Sequence, residues 1–500
     1  MTVRLRLAGP ASAPLYQRIE HGVRDAVEAG QLRPGDRLPS VADLARELGV
    51  ARLTVLKAFR GLEREGLLAS HVGRGTFVAG GAAPESGAEA APDDGGAAAH
   101  ARALRRLREG YARDLDSLLR VPRPPGTIDL TGGVPSPASV PDGLLARLLA
   151  SATAQDPQRL YGYGGPAGLL DLRTAIAARL AADGAAVTAD GIVVTMGSQQ
   201  AASLVAAWAR EEARPVLCET PTFTGMPGAF ELFGNPVASV PWGEDGLDLD
   251  ALEASPARRP LLYVCPDFHN PTGLTMSVEA RRALARFAVE RDALVVEDVV
   301  FRDLRYEGEP PPLLYGMLPP GRRVLIGSVS KSFMTGLRVG FLAADASLVA
   351  DLLPFKRTMD LGGPTFVHAM AAAFLADGYD EHLARMRRAY REGRDAMLAA
   401  LAASMPAGTR WTRPQGGFQL WLTLPEGLSA VEVFLRGVER GVATRPGPAH
   451  DIDGRYGDHL RVGWGGADPA SIATGVARLA DATASLLRRG AGDAVAASPV

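Results

Sequence analysis

Between residues 191 and 341 short Val/Ile-rich runs alternate with Ala/Leu/Arg-rich stretches of helical spacing, and each apolar run ends in polar or glycine-rich residues. The runs are GIVVTMGSQQA (191–201), PVLCETPTFTG (215–225), LLYVCPDFHNPTG (261–273), ALVVEDVVF (293–301) and a last one leading into GSVSKSFMTGLRVGF (327–341). IDLTGG (128–133) and YGYGGPAGLLDLRTAIA (161–177) precede them and read as part of the same series. Strands alternating with helices predict an α/β fold around a mostly parallel sheet flanked by helices. The polar ends should then gather at one edge of that sheet, where such folds bind ligands.

Lys331 stands out in this pattern. Only three lysines, Lys57, Lys331 and Lys356, occur among 54 basic residues, so the composition avoids lysine. A deprotonated lysine attacks a carbonyl and forms a Schiff base, the link that holds pyridoxal phosphate (PLP), which an arginine does not do. The apolar run Val324–Ile326 predicts a buried strand that delivers Lys331 to a strand end. Around it Ser328 and Ser330 offer hydroxyls, Gly336 and Gly340 allow close backbone approach, and Arg338 offers a planar fork suited to a phosphate. Taken alone, S-x-S-K-x6-R is equally compatible with a surface lysine in a Ser/Gly loop.

The N-terminal part has a different character. Residues 14–29 open on a proline and space Leu15, Ile19, Val23 and Val27 helically, with Gly30 ending the run. Ser40 is placed to cap a second helix, SVADLARELG, with Asp43 completing a capping-box pattern before Gly49 forces a turn. A third helix from about Arg52 to Glu65 buries Val55, Leu56, Phe59 and Leu62. Helix, glycine turn, helix is the arrangement that lays the second helix into a DNA major groove. LLASHVGRGTFVA then predicts a hairpin with a basic tip at Arg74.

Charge supports a separate head: residues 1–80 carry 12 Lys/Arg against 8 Asp/Glu, in a chain whose net charge is −2. Residues 80–99 are small and polar and read as a flexible linker. Leu104, Leu107, Tyr111, Leu115 and Leu118 predict an amphipathic helix in the rest of the 80–127 segment. The remainder divides into a large domain (128–380), a small C-terminal α+β subdomain (381–489) and a disordered tail (490–500). Cys218 and Cys265 lie in apolar runs without metal-ligand spacing and read as buried thiols, and His269, His368 and His450 suggest no metal. The absence of a signal core or an 18-residue apolar span predicts a cytoplasmic protein.

Residues 14–79, with LPS-x3-LA and L-x4-L-x-G-x-G-T-F-V, resemble the winged helix-turn-helix of GntR-family regulators. That resemblance implies operator DNA as a partner, with Arg52 and Thr54 at bases or phosphates, Arg37 and Arg74 along the backbone, and Ser40 among the DNA-binding residues. Ala42 and Leu56 stand where the family often has basic residues. Residues 128–485 resemble the class I/II aminotransferase-like group of fold-type-I PLP enzymes. By that resemblance Lys331 carries PLP; Ser198, Gln199, Ser328 and Arg338 cradle its phosphate; and Tyr163 reaches the phosphate of a partner subunit in a homodimer. Phe223 stacks on the pyridine ring, Asn270 donates to its O3′, Asp298 pairs with its ring nitrogen, and Arg461 clamps the α-carboxylate of an amino acid.

A GntR-type head on such a body is the composition of the MocR subfamily of regulators, which implies that an amino acid or amine effector reacts with the Lys331–PLP link and changes DNA binding. The other reading is a PLP-dependent aminotransferase with an accessory head, because VCPDFHNPTG looks like active 2-aminoadipate or aromatic aminotransferases. A sensor and an enzyme need the same Schiff base, so both stay open. One position departs from the pattern: Phe301 stands where the family usually has a tyrosine three residues after the ring-nitrogen aspartate.

Overall fold

The computed structural model describes Ala8, residues 15–33, a discontinuous set between 35 and 78, and residues 121–496 apart from 137, 138, 156 and 157. Two compact units divide the chain, residues 1–92 and 93–500.

In the first unit α1 spans Leu15–Glu28, and the strands β1 (Leu68–His71) and β2 (Gly75–Val78) pair antiparallel from Leu68↔Val78 to His71↔Gly75. Ile19 and Val23, one helical turn apart, bury against Leu38, Leu44, Val55, Phe59, Leu62, Leu68 and Val78. Each such side chain removed from water contributes about 1.5 to 3 kcal/mol, which gives this small unit its own core. The 35–38 segment docks on the hairpin through Gly35 N to Val78 O and Leu38 N to Thr76 O, both 2.8 Å. Of the helix expected to start at Ser40 only Leu44 and Leu48 are described, both helical, while the 80–99 linker and the helix expected within 100–119 lie outside the described residues.

The second unit opens with β3 (Ile128–Asp129) and continues with β4 (Ile192–Thr195), β5 (Val216–Thr220), β6 (Val237–Pro241), β7 (Leu261–Val264), β8 (Leu294–Asp298), β9 (Arg323–Ser328) and β10 (Gly340–Ala344). Strands β4 to β10 form one sheet in the order β4-β10-β9-β8-β7-β5-β6, parallel except that β10 runs against both neighbours. Every residue of β4, β5, β7 and β8 is buried, the signature of a sheet covered on both faces. Helices α2 (Ser198–Glu211) and α4 (Ala346–Asp360) cover one face through Leu204, Val205, Val349 and Leu352, while Leu284 and Ala288 of α3 (Val278–Glu290) pack on the other.

A second sheet of β11 (Arg410–Trp411), β12 (Gln419–Thr423), β14 (Arg445–Pro446) and β15 (His459–Gly463) is antiparallel in the order β11-β12-β15-β14. One expectation needs correcting here. IDLTGG does not join the main sheet; Ile128–Asp129 pairs in parallel with β13 (Val442–Ala443), and Leu130 O accepts from Gly463 N. Gly132, at φ +54, permits this, because a Cβ there would sit 2.7 Å from the Gly463 Cα. The tail expected from 490 also differs: the last helix, α5, spans Pro469–Ala496, carried by alanine-rich sequence of high helix propensity. Among the described residues, no helix is long and apolar enough to cross a membrane.

Candidate cofactor and effector site

The carboxyl ends of β4, β5, β7, β8 and β9 lie along one edge of the main sheet, and each delivers one or more of the singled-out residues. After β4, Gly197 (φ 80) starts α2, and no side chain caps the first-turn N–H groups of Ser198 and Gln199. Arg338, itself left-handed at φ 53, lies against this turn and donates from Nη2 to Met196 O at 3.1 Å. A Cβ on Gly197 would stand 2.6 Å from that Nη2, and one on Gly340 would stand 2.5 Å from the Gly197 carbonyl carbon. Open amides at a helix N-terminus beside a guanidinium make an anion cup. Ser328 Oγ lies 2.9 Å from Ser330 Oγ and 2.8 Å from Val339 O, which holds the turn before Lys331.

The cup has a brace that sequence reading did not anticipate. Gln200 Oε1 accepts from Met196 N at 2.8 Å, its Nε2 donates to Asp360 Oδ2 at 2.8 Å, and Lys356 Nζ donates to the same carboxylate at 2.6 and 2.7 Å. Gln199 Nε2 donates to Gly225 O at 2.6 Å, and a Cβ on Gly225 would touch both Gln199 Oε1 and the Phe223 ring. Phe223, partly open at 37 %, is thereby set beside the cup.

Asp298 closes β8 and is buried. Its Oδ2 accepts from Tyr263 Oη at 2.9 Å and its Oδ1 from Val300 N at 3.0 Å. Burial pushes its pKa up to about 7, although these donors and the Lys331 cation pull the other way. Such a carboxylate, whose hydrogen-bond donors Tyr263 and Val300 are both neutral, suits a protonated ring nitrogen. Lys331 is shifted oppositely, down to about 8, first by burial and then by Arg461 and Arg338. At pH 7 about a tenth of its amines are therefore neutral and nucleophilic.

Lys331 Nζ donates to Gly133 O, and Arg461 holds the same turn through Thr131 O at 2.9 Å and Gly132 O at 2.7 Å. Arg461 Nη1 also donates to Asn270 Oδ1 at 2.8 Å. Asn270 thus spends its acceptor on the arginine and keeps its amide N–H groups to donate. Burial, then Arg445, hold the Arg461 pKa well below the guanidinium range, and its donations to Thr131, Gly132 and Asn270 all go to neutral oxygens. The Asn270 loop is anchored by Asp267, fully buried, which meets Arg281 and Arg302 at 2.9 Å each. Burial alone would raise the Asp267 pKa; the arginines outweigh it and hold the carboxylate ionised.

Tyr163 is 86 % exposed and is not brought to these residues within the chain. Phe301 is buried and meets Phe418 edge-on at 5.5 Å. Thr54 is part-buried in a helical segment of the head, whereas Arg37, Ser40, Arg52 and Arg74 lie outside the described residues. Tyr263, Gln200, Asp360, Asp267, Arg281 and Arg302 were missed. The one local signal was the hydroxyl of Tyr263 inside an otherwise apolar strand.

A lysine with a lowered pKa, a buried carboxylate, an open helix N-terminus beside Arg338 and a buried arginine at one sheet edge fit PLP. Residues 127–479 match the family described as aminotransferase class I and II, and residues 15–78 match bacterial regulatory proteins of the gntR family. The chain therefore belongs to the aminotransferase class I and II family, with the gntR-type head that marks its MocR-like regulators. It is similar to the 2-aminoadipate transaminase of Thermus thermophilus, at 36 % identity over 75 % of this chain and 95 % of the relative. Similarity to the HTH-type transcriptional regulator TauR of Rhodobacter capsulatus is 31 % over 95 % of this chain and 98 % of the relative. The crystal structure of LysN, an α-aminoadipate aminotransferase from Thermus thermophilus complexed with N-(5'-phosphopyridoxyl)-L-leucine, matches with TM-score 0.70 at 34 % identity, covering 77 % of this chain and 97 % of that one.

Proposed function

We propose that this chain is a PLP-dependent, DNA-binding transcriptional regulator in which an amino acid or amine effector engages the cofactor at Lys331 and changes how the head addresses operator DNA. The observation that carries this reading is the full-length match to regulators, head included, where the transaminase covers only 75 % of the chain. In this arrangement the Ser198 and Gln199 amides, Ser328 and Arg338 bind the phosphate. Asp298 holds the ring-nitrogen proton, Asn270 donates to O3′, Phe223 covers the ring and Arg461 takes the effector carboxylate. When bound, PLP supplies an electrophilic carbon for the effector amine and a ring that withdraws electrons. The exposed Tyr163 is assigned to the phosphate site of a second copy, so the regulator is a cytoplasmic homodimer.

Residues 1–79 serve as the DNA-binding domain, with Arg37, Ser40, Arg52, Thr54 and Arg74 toward the duplex. They are followed by a linker (80–127), the PLP domain (128–380) and the small subdomain (381–489). Affinity for DNA should fall steeply with salt as phosphate contacts release counterions. The discriminating experiment adds amino acids singly to the full-length PLP-loaded protein, follows the visible absorbance and assays for 2-oxo acid. Stoichiometric spectral change without turnover, together with altered DNA affinity, is the expected result. Steady 2-oxo acid production with no effect on DNA favours an aminotransferase with an accessory head, a reading supported by the complete set Lys331, Asp298 and Arg461.

A further inference from the structure

Ser332, next in the chain to Lys331, is buried, and its Oγ lies 2.6 Å from Tyr379 Oη. The same phenol oxygen lies 2.6 Å from Asp303 Oδ2. Tyr379 is itself buried, and burial, then the Asp303 charge, push its pKa well above the ordinary phenol value, so the phenol keeps its proton. A carboxylate only accepts, which settles the direction of both bonds: Ser332 Oγ donates to Tyr379 Oη, and Tyr379 Oη donates to Asp303 Oδ2.

Separate elements meet in this chain of bonds. Ser332 belongs to the turn after β9 that carries Lys331, and Asp303 to the short 3-10 helix Arg302–Leu304 that follows β8 and Asp298. Tyr379 opens the helix Tyr379–Ser404, whose Arg387 donates from Nε to Asp303 O at 2.7 Å. Each end is also held independently: Phe333 N donates to Val329 O at 2.9 Å across the lysine turn, and Arg302 meets Asp267, the anchor of the Asn270 loop, at 2.9 Å. The Tyr379 ring is fixed edge-on to Phe374, with centroids 5.3 Å apart, and lies under the Arg179 guanidinium at 4.3 Å. A fixed ring gives its oxygen a set position. The lysine turn is thus tied through two adjacent side chains, Lys331 to Gly133 O at the cofactor edge and Ser332 to the phenol.

We propose that Tyr379 is a positioning residue for the PLP-binding lysine, acting through Ser332 and braced by Asp303. The role rests on the reading of Lys331 given above. Tyr379 touches neither cofactor nor effector in this arrangement; it sets where the Lys331 backbone starts and so how the amine meets the cofactor aldehyde. A covalent link depends on where both of its ends are held. The phosphate and ring contacts assigned to Ser198, Gln199, Arg338 and Asp298 do not pass through Ser332, so the link to Lys331 is the interaction that loses most when the phenol oxygen is removed.

The test compares the affinities of the full-length protein for PLP and for pyridoxamine phosphate, which shares the phosphate and ring but has no aldehyde for Lys331. Tyr379→Phe keeps the ring and its packing and removes the hydroxyl. It should weaken PLP binding about two- to tenfold, the range of one hydrogen bond between neutral groups, and leave pyridoxamine phosphate binding unchanged. Ser332→Ala should do the same, and the double variant should be no worse than either single one, because both remove the same bond. Asp303→Asn, still able to accept from the phenol, should retain most of the wild-type preference for PLP. Equal weakening of both ligands in Tyr379→Phe, or of neither, overturns the positioning role, and Ser332→Ala reads the same ratio if the tyrosine variant does not fold. Additive losses in the double variant overturn the route through Ser332. Wild type that binds both ligands alike and takes no borohydride label on Lys331 overturns the reading of Lys331 and this role with it, whereas a labelled Lys331 with an unchanged ratio in the variants overturns this role alone.

Discussion

Tyr263 Oη donates to Asp298 Oδ2 at 2.9 Å, a hydroxyl from the middle of one buried strand steadying the carboxylate at the end of the next. Register explains the contact: Tyr263 stands opposite Val296, and Asp298 lies two residues further along on the same face. Tyr263→Phe leaves the packing in place and removes one donor to the ionised carboxylate. Losing a hydrogen bond to a charged group costs about 1.5 to 3 kcal/mol when it is not replaced, so PLP affinity should weaken at least about tenfold. A cofactor titration of the purified variant measures this, and an affinity equal to wild type would refute the role given to Tyr263.

The shifts at Asp298 and Lys331 make a signed prediction for the cofactor-free protein. The folded-state pKa of Asp298 is raised from 3.8 to about 7, so its contribution to stability is fully present below about 4 and is lost as pH rises through about 7. Melting temperature compared at pH 5 and pH 7.5 should fall less in Asp298→Asn than in wild type. A wild-type decline that persists unchanged in the variant means that other groups set the profile.

Much of this site was legible because parallel strands buried on both faces leave long apolar runs, and the residues at their ends appear in the order Ser198, Phe223, Asn270, Asp298, Lys331. What holds those residues was not legible. Asp267 meets Arg281 and Arg302 from 14 and 35 positions away, and Gln200 meets Asp360 across 160, so no local pattern announces either. The two-residue strand Ile128–Asp129 carries too little sequence to declare its partner, and a parallel pairing with Val442–Ala443 depends on the tertiary fold alone. Arg445 looked like one arginine among many until the register set it beside Arg461.

Borohydride reduction of the PLP-loaded protein should place the reduced cofactor on Lys331. Lys356 is fully buried and donates twice to Asp360, so it is not the competing amine. Lys331→Ala should retain the fold, and near pH 7 its melting temperature without cofactor should equal or exceed wild type. The lysine pKa is lowered from 10.5 to about 8, so the stability it contributes is lost as pH falls toward 8, and folding at pH 7 works against its charge. Label recovered on Lys57 or Lys356 would contradict the assignment, and a large drop in melting temperature would contradict the electrostatic argument.

Phe301 removes a donor that the aminotransferase pattern usually supplies. Its ring is buried and packs edge-on against Phe418 with centroids 5.5 Å apart, so the position is filled by apolar contact instead of a hydroxyl. In the proposed arrangement Asn270, its Oδ1 taken by Arg461 Nη1 at 2.8 Å, is the donor left for O3′ of the cofactor. With one donor fewer to the ring oxygen, the visible band of the loaded protein should keep its low-pH form to higher pH. Phe301→Tyr should lower the pKa of that band by about one to two units, equivalent to the hydrogen bond gained by a charged acceptor. A spectrophotometric pH titration of wild type and variant reads this without any need for turnover. The variant should also bind PLP no more weakly than wild type, since the added hydroxyl contributes a contact. If the tyrosine leaves the pKa unchanged, Phe301 acts only as packing.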